Sequence, residues 1–497
     1  MNENAVISKL DNINIPSFYW AIVILATLGG FLFGYDTSNI GSTMTFMPFY
    51  SAIESNSFVY GYLVAGASLG AAVGALIAAG TTERVGRKGL LIADAAIYAI
   101  GAIGSALSYN VAEILIFRTF IGIAVGADTA IATTYVAEFA PKKKRAHMTV
   151  LQQWMVTVGI LGAYMVGMAV YFIAPSMAFS VGWRILLGVA AIPALIGLFF
   201  RFRMPESPRW LIYHEKFDRA LASLKKLNIQ ATKDEVMKAR DYLLNLEKTM
   251  SGEFTKNGIN RALLIAGLFA VFTEITGINI PFYYGPVIIS SLHLFPSVTN
   301  PALSMAYSIS ASAILGAINV AATYIGFKLL DTTGRRTLAL YGFAGMTVFG
   351  LLGMTLALMH ILIGILIGFA GFIIFFAFGV GANVWVIQSE YFPIKNKGFF
   401  VSIIAAIDWI ANFVIVEVFP TMDKAIGIGF SMGVFAILSL IGFIIFFIIM
   451  PVSKGRSLEE MAVLLSKTKL SDMRHTGNKS LAVSEGTESN EAGNELD

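Results

Sequence analysis

Long stretches without a single charged side chain constrain this 497-residue sequence more than any other feature. About 20 apolar residues suffice to cross a bilayer, and soluble core helices do not reach the lengths seen here. Charged residues make up only 13% of the chain, about half the share of a typical soluble domain. The sequence is therefore that of a polytopic membrane protein. Five prominent uncharged stretches are residues 55–82, 148–183, 302–327, 361–389 and 425–450.

Division of the chain at its charged breaks predicts an all-α membrane protein with twelve transmembrane helices. Each predicted span is long enough to cross the hydrocarbon core of a bilayer. The spans are predicted at residues 17–39, 58–80, 89–108, 113–137, 148–173, 184–202, 260–286, 303–328, 337–359, 362–389, 399–419 and 426–450.

The loops between these spans alternate between strongly charged and nearly uncharged ones. The charged set includes residues 83–88, 142–145, the long stretch 201–261, and the pair Arg335-Arg336. Basic loops stay in the cytoplasm according to the positive-inside rule. Both termini and the central connector are therefore predicted to be cytoplasmic, in a multi-pass protein of the cell membrane.

A weak internal repeat divides the spans into two halves. Gly86-Arg87-Lys88 recurs as Gly334-Arg335-Arg336 about 250 residues later. Repeats in parallel orientation predict two pseudo-symmetric six-helix bundles with the substrate site between them. The predicted units are six-helix bundles at residues 1–205 and 259–452, a cytoplasmic helical linker at 206–258, and a mostly disordered cytoplasmic tail at 453–497.

Asp36 and Arg118 each stand inside an otherwise apolar span. An ionised group in hydrocarbon costs on the order of 3 kcal/mol, so such a group is expected to be paired or functional. The apolar segments offer very few basic partners for Asp36, and Arg118 is the natural one. An acid–base pair inside a membrane indicates a site that takes up and releases a proton. A permanent structural ion pair is the alternative.

Seven short motifs follow one another in a fixed order at the ends of the predicted spans. They are Gly34-Tyr35-Asp36; Glu83-Arg84-x-Gly86-Arg87-Lys88; Arg118 with Glu138-x-x-Pro141; Pro205-Glu206-Ser207-Pro208-Arg209-Trp210-Leu211; Gly277-Ile278-Asn279 with Tyr283-Tyr284; Asp331-x-x-Gly334-Arg335-Arg336; and Ser389-Glu390-x-Phe392-Pro393. Because these motifs occur in this order, the chain resembles a sugar porter of the major facilitator superfamily over residues 17–463. Within that family it resembles the proton-coupled bacterial xylose and plant monosaccharide symporters, which implies that Asp36 and Arg118 are the proton-coupling pair.

Charged residues at the predicted span ends form a candidate conformational charge network. Ion pairs among them can clip the two halves together on the inner side and favour the outward-open state, which is the role that the resemblance implies. Simple solvation of helix ends is the alternative, because isolated exposed pairs contribute little. The residues are Glu83, Arg84, Arg87, Glu138, Arg145, Glu206, Arg209, Asp331, Arg335, Arg336 and Glu390.

Candidate substrate-binding residues are polar or aromatic side chains inside the spans. A sugar needs several hydrogen-bonding groups that converge on one cavity, together with an aromatic face. The resemblance implies that Gln153, Asn279, Asn319, Gly381 and Trp385 supply them. An interhelical hydrogen bond is the alternative role of a polar side chain inside a span.

The sequence departs from the family pattern at three further candidate positions. Thr273 and Glu274 stand where paired glutamines are expected, and Asp408 replaces another glutamine. The two carboxyls are either protonated and neutral, so that each donates and accepts hydrogen bonds, or they adapt the site to a different polyol, an amino sugar or another cationic solute. Asp128 and Glu417 are further acids inside spans, without obvious basic partners.

The predicted function is secondary active import of a monosaccharide, meaning a hexose, a pentose or a related polyol, with protons by alternating access. A proton-independent uniporter is one alternative, which Asp36 disfavours; a carrier of an amino sugar or another polar solute is the other. No cofactor, metal site or nucleotide-binding loop is predicted, since cysteine is absent and the five histidines are scattered. The expected partners are sugar, protons and the lipid bilayer, not nucleic acid, and the expected state is a monomer.

Overall fold

The computed structural model describes residues 5–12, 17–139, 145–253, 255–292, 298–392, 397–454, 461 and 464–466. The regular structure within these ranges is helical, and they contain no β-strand. Much of the predicted tail at 453–497 lies outside the described residues.

Eleven helical segments are long and apolar enough to cross a bilayer. The last of them, Gly398–Ile449, has 52 residues. At about 1.5 Å per residue it is far longer than the ~30 Å hydrocarbon core. It contains Gly427 at φ 78°, a non-helical residue where two helices meet. This segment therefore supplies two spans, and the prediction of twelve transmembrane helices in the major facilitator arrangement is confirmed.

The first half of the fold contains six spans, followed by three helices that connect it to the second half. Its helices are α1 (Ala5–Asp11), α2 (Ser17–Ala26), α3 (Leu28–Thr43), α4 (Tyr50–Glu54), α5 (Ser57–Val85), α6 (Arg87–Leu107), α7 (Val111–Phe139), α8 (Arg145–Ile173), α9 (Trp183–Val189) and α10 (Ala191–Arg201). The connecting helices are α11 (Pro208–Tyr213), α12 (Phe217–Lys226) and α13 (Lys233–Glu253).

The second half contains the other six spans. Its helices are α14 (Lys256–Ile275), α15 (Ile280–Tyr283), α16 (Gly285–Ser291), α17 (Pro301–Thr333), α18 (Arg335–Leu358), α19 (Leu362–Phe375), α20 (Ala382–Glu390) and α21 (Lys397–Ile449). A π-helical turn, Phe376–Gly381, joins α19 to α20 inside span ten.

Spans one and seven, which the sequence predicts as continuous, are interrupted. Span one is interrupted at Thr27, which separates α2 from α3, and the Thr27 hydroxyl donates to the carbonyl oxygen of Val23 at 2.9 Å. Span seven stops at Ile275, because Gly277 adopts φ +80° and packs against Phe435. A Cβ at Gly277 would lie 2.6 Å from the Phe435 ring, so only glycine fits this break.

Close backbone contacts between small residues hold the spans of the first half together. A Cβ at Gly74 of α5 would lie 2.1 Å from the carbonyl oxygen of Ile123, and a Cβ at Gly126 of α7 would lie 1.8 Å from that of Ala71. Such contacts let two helices approach at backbone distance. As a result, Arg118 of α7 lies in the interior, between α5 and α3.

One side of the molecule, which we call the charged face, is where the span ends meet the connecting helices α11–α13. Trp210 of α11 donates its ring N–H to the carbonyl oxygen of Glu83 at the end of α5, at 3.3 Å. Arg209 of the same helix pairs with Asp11 of α1 at 2.7 Å. The connecting helices therefore lie against the same ends of the spans that carry the sequence motifs.

Candidate functional site

A polar cavity lies in the centre of the molecule, between the two halves. Its volume is about 40 Å³, much smaller than the ~300–1,000 Å³ of a typical ligand pocket. The side chains therefore close in on one another, and a ligand of monosaccharide size requires the halves to move apart. The lining residues are Phe33, Gln153, Val156, Ile160, Thr273, Glu274, Ile278, Asn279, Phe282, Asn319, Phe376, Val384, Trp385, Asp408 and Trp409.

The structure brings seven of the eight predicted substrate residues to this cavity. They are Gln153, Thr273, Glu274, Asn279, Asn319, Trp385 and Asp408. Gly381 is the exception, since it is not a lining residue. A Cβ at Gly381 would lie 2.7 Å from the ring of Phe376, which does line the cavity. Gly381 therefore makes room for an aromatic wall and does not contact the cavity itself.

A direct hydrogen bond crosses the cavity from one half to the other. The indole N–H of Trp385 in α20 donates to the side-chain oxygen of Gln153 in α8 at 2.9 Å. Both residues are polar groups without charge, and each has further capacity to bind hydroxyl groups or a C–H face. This bond marks the place where the two halves touch at the level of the cavity.

Glu274 is the centre of a hydrogen-bonded chain that runs out of the cavity. Its Oε2 accepts from the amide nitrogen of Asn279 at 2.7 Å and from that of Asn412 at 2.6 Å. The amide oxygen of Asn412 in turn accepts from the hydroxyl of Ser68 in α5 at 2.8 Å. The break in span seven makes this possible, because it turns Asn279 back towards Glu274. The chain thus connects the cavity wall of the second half to the first half.

Asp408 is a second acidic group in the same cavity. It is buried, and its Oδ1 has no hydrogen-bond partner among the described residues. The cavity lining contains no Lys, Arg or His side chain. By contrast, Thr273 donates its hydroxyl to the carbonyl oxygen of Phe269, within its own helix. Asp408 and Glu274 are therefore two carboxyls in one small cavity without a lining cation.

The end of the cavity opposite the charged face is closed by contacts between the halves. The hydroxyl of Tyr164 in α8 donates to the carbonyl oxygen of Phe282 in α15 at 2.8 Å. A Cβ at Gly41, near the end of α3, would lie 2.1 Å from the carbonyl oxygen of Tyr283. Gly41 therefore permits a backbone contact that seals this end.

Asp36 and Arg118 form an ion pair in the interior of the first half. The two guanidinium nitrogens of Arg118 donate to the two carboxylate oxygens of Asp36 at 3.1 and 3.2 Å. Arg118 is 0% exposed and Asp36 5% exposed. Arg118 also donates to the carbonyl oxygen of Val64 in α5 at 3.2 Å. The pair is thus bidentate, buried and attached to the same helix that carries Ser68.

The prediction that Asp128 lacks a basic partner is wrong. Asp128 pairs with Arg201 at 2.7 Å, and Arg201 also pairs with Asp94. Arg201 ends span six and lies in the interior, so its place in the sequence gives no sign of this contact. Glu417 is different: it lies near the end of the spans away from the charged face, against Gly61, and its Oε2 has no partner among the described residues.

The predicted charge network has members in both halves. In the first half, Arg87 pairs with Glu83 at 2.9 Å and with Glu138 at 2.8 Å. The backbone N–H groups of Arg87 and Lys88 donate to Glu206 at 3.1 and 3.2 Å. Burial raises the pKa of Glu206, and the hydrogen bonds from the backbone N–H groups of Ser207 and Lys88 oppose that shift. These contacts therefore fasten α5, α6, α7 and the start of the connector to one another.

In the second half, Arg335 pairs with Glu390 at 2.8 Å, and Arg336 donates to the carbonyl oxygen of Phe447 at 2.6 Å. The Arg87–Glu83, Arg87–Glu138 and Arg335–Glu390 pairs each join residues of the same half, and the clip between the halves stays a prediction. Glu83 lies close to the second half, since its Oε1 would lie 3.7 Å from a Cβ at Gly398. Arg84 is exposed. The side chains of Arg145 and Asp331 lie outside the described residues.

Replacing Arg87 with Ala is expected to lower stability strongly, because it leaves the largely buried carboxylate of Glu138 without its cation. The exposed Glu83 loses its partner as well, but water can solvate it. Loss of one partner of a buried pair costs about 3–5 kcal/mol. Lys238→Ala is the matched control, since Lys238 pairs with Asp234 at 2.7 Å on an exposed surface. Thermal unfolding of the full chain in detergent measures both variants. Equal melting temperatures in the two variants would contradict a structural role for Arg87.

The fold and the cavity define the class of this protein: it is a multi-pass membrane transporter of the major facilitator superfamily, not an enzyme. The profile of the family described as "Sugar (and other) transporter" matches residues 22–465. The chain belongs to this family, which confirms the family predicted from the motifs.

Three relatives illustrate this membership. The chain is 30% identical to the arabinose-proton symporter of Bacillus subtilis over 90% of this chain and 96% of that protein. It is 31% identical to the galactose-proton symporter of Escherichia coli over 90% and 94%, respectively. Among solved structures, it is similar to the proton:xylose symporter XylE of E. coli bound to 6-bromo-6-deoxy-D-glucose, with a TM-score of 0.75, 27% identity, and coverage of 90% of this chain and 99% of XylE.

Proposed function

We propose that this protein imports a monosaccharide together with protons across the cell membrane by alternating access. The observation that carries the proposal is a polar cavity shared by both halves, beside a buried Asp36–Arg118 pair that is linked to it through α5. The arabinose, galactose and xylose symporters among its relatives support the proton-coupled assignment. The charge pattern of the loops supports a cytoplasmic position for both termini and for α11–α13.

The cavity suits a sugar by the chemistry of its lining. Gln153, Asn279 and Asn319 offer amide donors and acceptors for hydroxyl groups, and Trp385 offers an aromatic face for C–H groups. A sugar that enters between the halves can replace the Trp385–Gln153 hydrogen bond with bonds of its own. This exchange gives the substrate a differential interaction with the open and closed arrangements, which is what a shift between two states requires.

The proton is assigned to Asp36. When Arg118 holds the carboxylate of Asp36, the ionised form is stabilised; when the two groups separate in hydrocarbon, the neutral acid is favoured. Asp36 can therefore bind a proton in one state of the cycle and release it in the other.

A path of contacts connects this proton site with the sugar site. Arg118 donates to the carbonyl oxygen of Val64, and Ser68 lies one helical turn further along α5. Ser68 donates to Asn412, which donates to Glu274 in the cavity wall. A movement of α5 that accompanies release of Asp36 would therefore alter the cavity directly. We propose this path as the route of coupling, to be tested by double-mutant cycles between Ser68 and Asp36.

A second candidate function is transport of an amino sugar or another cationic solute. The observation that favours it is the pair of carboxyls, Glu274 and Asp408, in a cavity whose lining contains no Lys, Arg or His. Two adjacent carboxylates without a cation are costly in a buried site, so they are either protonated or matched by a charged ligand. A proton-independent uniporter is not favoured, because it has no use for Asp36 inside the membrane.

Glu274→Gln and Asp408→Asn are expected to preserve uptake of neutral sugars and to flatten its dependence on pH, because an amide mimics a protonated carboxyl. Uptake by proteoliposomes across a range of pH measures this. Glu417→Gln is the matched control, since Glu417 is an acid in a span but outside the cavity. Loss of amino-sugar uptake in both cavity variants, with improved hexose uptake, would support the second candidate function instead.

Proteoliposome uptake of a panel of labelled hexoses, pentoses, polyols and amino sugars tests the proposed function. Accumulation of at least one neutral monosaccharide above its external concentration, only under an inward proton gradient, is the expected result. Equal uptake with and without the gradient would establish a uniporter and overturn the proposal.

A further inference from the structure

A second buried ionic cluster lies in the first half, apart from the Asp36–Arg118 pair. Arg201, at the end of α10, pairs with Asp94 of α6 and, at 2.7 Å, with Asp128 of α7. Asp94, Asp128 and Arg201 are 4%, 2% and 1% exposed, respectively. The cluster therefore contains two carboxyl groups and one guanidinium group, all three shielded from water.

The charges of this cluster do not balance if both acids are ionised. One guanidinium compensates one carboxylate, and the second carboxylate would be left as an unmatched negative charge inside a membrane-spanning bundle. Two carboxyls that share one site cannot both ionise without a large penalty, and a shared proton removes it. Each acid also has one oxygen that can hold the shared proton, because Oδ2 of Asp94 and Oδ2 of Asp128 have no partner among the described residues.

The space around these oxygens fits a proton and not a metal ion. A cavity of about 10 Å³ adjoins the two carboxyls, which is at the lower limit for a single water molecule. Apart from the two acids, Tyr98 is the only lining side chain with a polar atom, and its hydroxyl donates to the carbonyl oxygen of Leu32 at 3.0 Å. The other lining residues are Gly29, Leu32, Ala95, Ala124 and Val125, which supply no side-chain ligand for a cation.

The cluster also holds the break in span one. Arg201 donates to the carbonyl oxygens of Leu25 and Ala26 at 3.2 and 3.4 Å, immediately before Thr27, where α2 ends. Asp128 lies against Gly29 of α3, where any Cβ would overlap its carboxyl group. Asp36 stands further along the same helix α3. A change in the charge of the cluster would therefore act on the helix that carries the proton-coupling acid.

We propose that Asp94 and Asp128 share one proton and, with Arg201, form a second proton-binding site that stabilises the break in span one. The titratable or charged groups that face it are Arg201 from α10, Asp94 and Tyr98 from α6, and Asp128 and Tyr135 from α7. Helix α2 contributes backbone carbonyls and α3 contributes Gly29. This site is independent of the sugar transported, so it can be tested without any transport assay.

Infrared difference spectroscopy of the full chain in lipid nanodiscs tests the proposal. A protonated carboxyl has a C=O stretching band that is distinct from that of a carboxylate. We expect Asp94→Asn and Asp128→Asn to remove one and the same band, because either asparagine leaves a single carboxylate that Arg201 neutralises. The band should persist in Asp36→Asn and in Asp408→Asn. A wild-type spectrum without this band, or a band that survives both substitutions, would overturn the proposal.

Stability measurements give a second and independent readout. Each single variant should unfold near the wild-type temperature. The double variant leaves Arg201 without a counter-charge, so its melting temperature should fall by more than the sum of the two single decreases. Strictly additive decreases in melting temperature would contradict a shared proton. If the asparagine variants fail to fold, aspartate-specific isotope labelling of a chain with both Asp36→Asn and Asp408→Asn still decides whether a buried aspartic acid remains. A melting temperature of the wild type that rises with sodium, but not with choline, would assign a cation site instead.

Discussion

Asp36→Asn is expected to abolish proton-driven accumulation of the sugar while exchange of labelled for unlabelled sugar continues. Asparagine keeps the size of the side chain and one acceptor for Arg118, but it cannot bind or release a proton. The cavity residues are unchanged, so the sugar still binds and the halves still move. Under an inward proton gradient, the sugar inside proteoliposomes should rise only to its external concentration.

Asp36→Glu and Asp218→Asn are the controls for this experiment. Glutamate retains a carboxyl, so some uphill uptake should remain in the first. Asp218 lies in an exposed pair with Lys233 on the connector, so the second should behave as the wild type. Undiminished uphill uptake in Asp36→Asn would place the coupling proton elsewhere, with Glu274 or Asp408 as the next positions to test.

Removal of a cavity amide is expected to have the second large effect. Gln153→Ala and Asn279→Ala should each weaken sugar binding by about 1–3 kcal/mol, roughly 5- to 150-fold in affinity. The reason is that a buried polar group, on the sugar or on the protein, is left without its partner. Trp385 loses its acceptor in the first variant, and Glu274 loses a donor in the second.

Gln152→Ala is the matched control for the cavity variants. Gln152 precedes Gln153 on α8, is buried as well, and packs against Gly30 of α3 instead of the cavity. Its substitution should affect stability while affinity is retained. Titration of the purified protein with sugar, by calorimetry or tryptophan fluorescence, compares the three variants. Unchanged affinity in both Gln153→Ala and Asn279→Ala would show that the sugar binds elsewhere.

The sequence predicts the spans well because their signal is local and strong. Long uncharged stretches and charged ends mark each crossing; ten of the twelve spans are separate helical segments in the structure, and the last two share one segment. The interruptions of spans one and seven are less visible. The break at Gly277 depends on a positive φ and on contact with Phe435, a residue from a distant span, so hydropathy alone cannot show it.

Part of the cavity lining could be predicted because the family resemblance assigns it. Asn279 stands in the Gly277-Ile278-Asn279 motif, and the family resemblance implies the roles of Gln153 and Trp385; all three line the same cavity in the structure. Asn412 was missed, although it lies one helical turn after Asp408 and on the same face of span eleven. Asp94 and Arg201 were missed because their pairing joins spans three and six, and a basic residue at a span end normally indicates only topology.

Entry of protons driven by the sugar tests the central claim most directly. Proteoliposomes that contain the purified protein and a trapped pH indicator would be given an inward sugar gradient with no initial pH gradient. The proposed symport predicts internal acidification with the wild type, and none with Asp36→Asn although sugar still enters. Entry of the transported sugar without any change of internal pH in the wild type would contradict proton coupling.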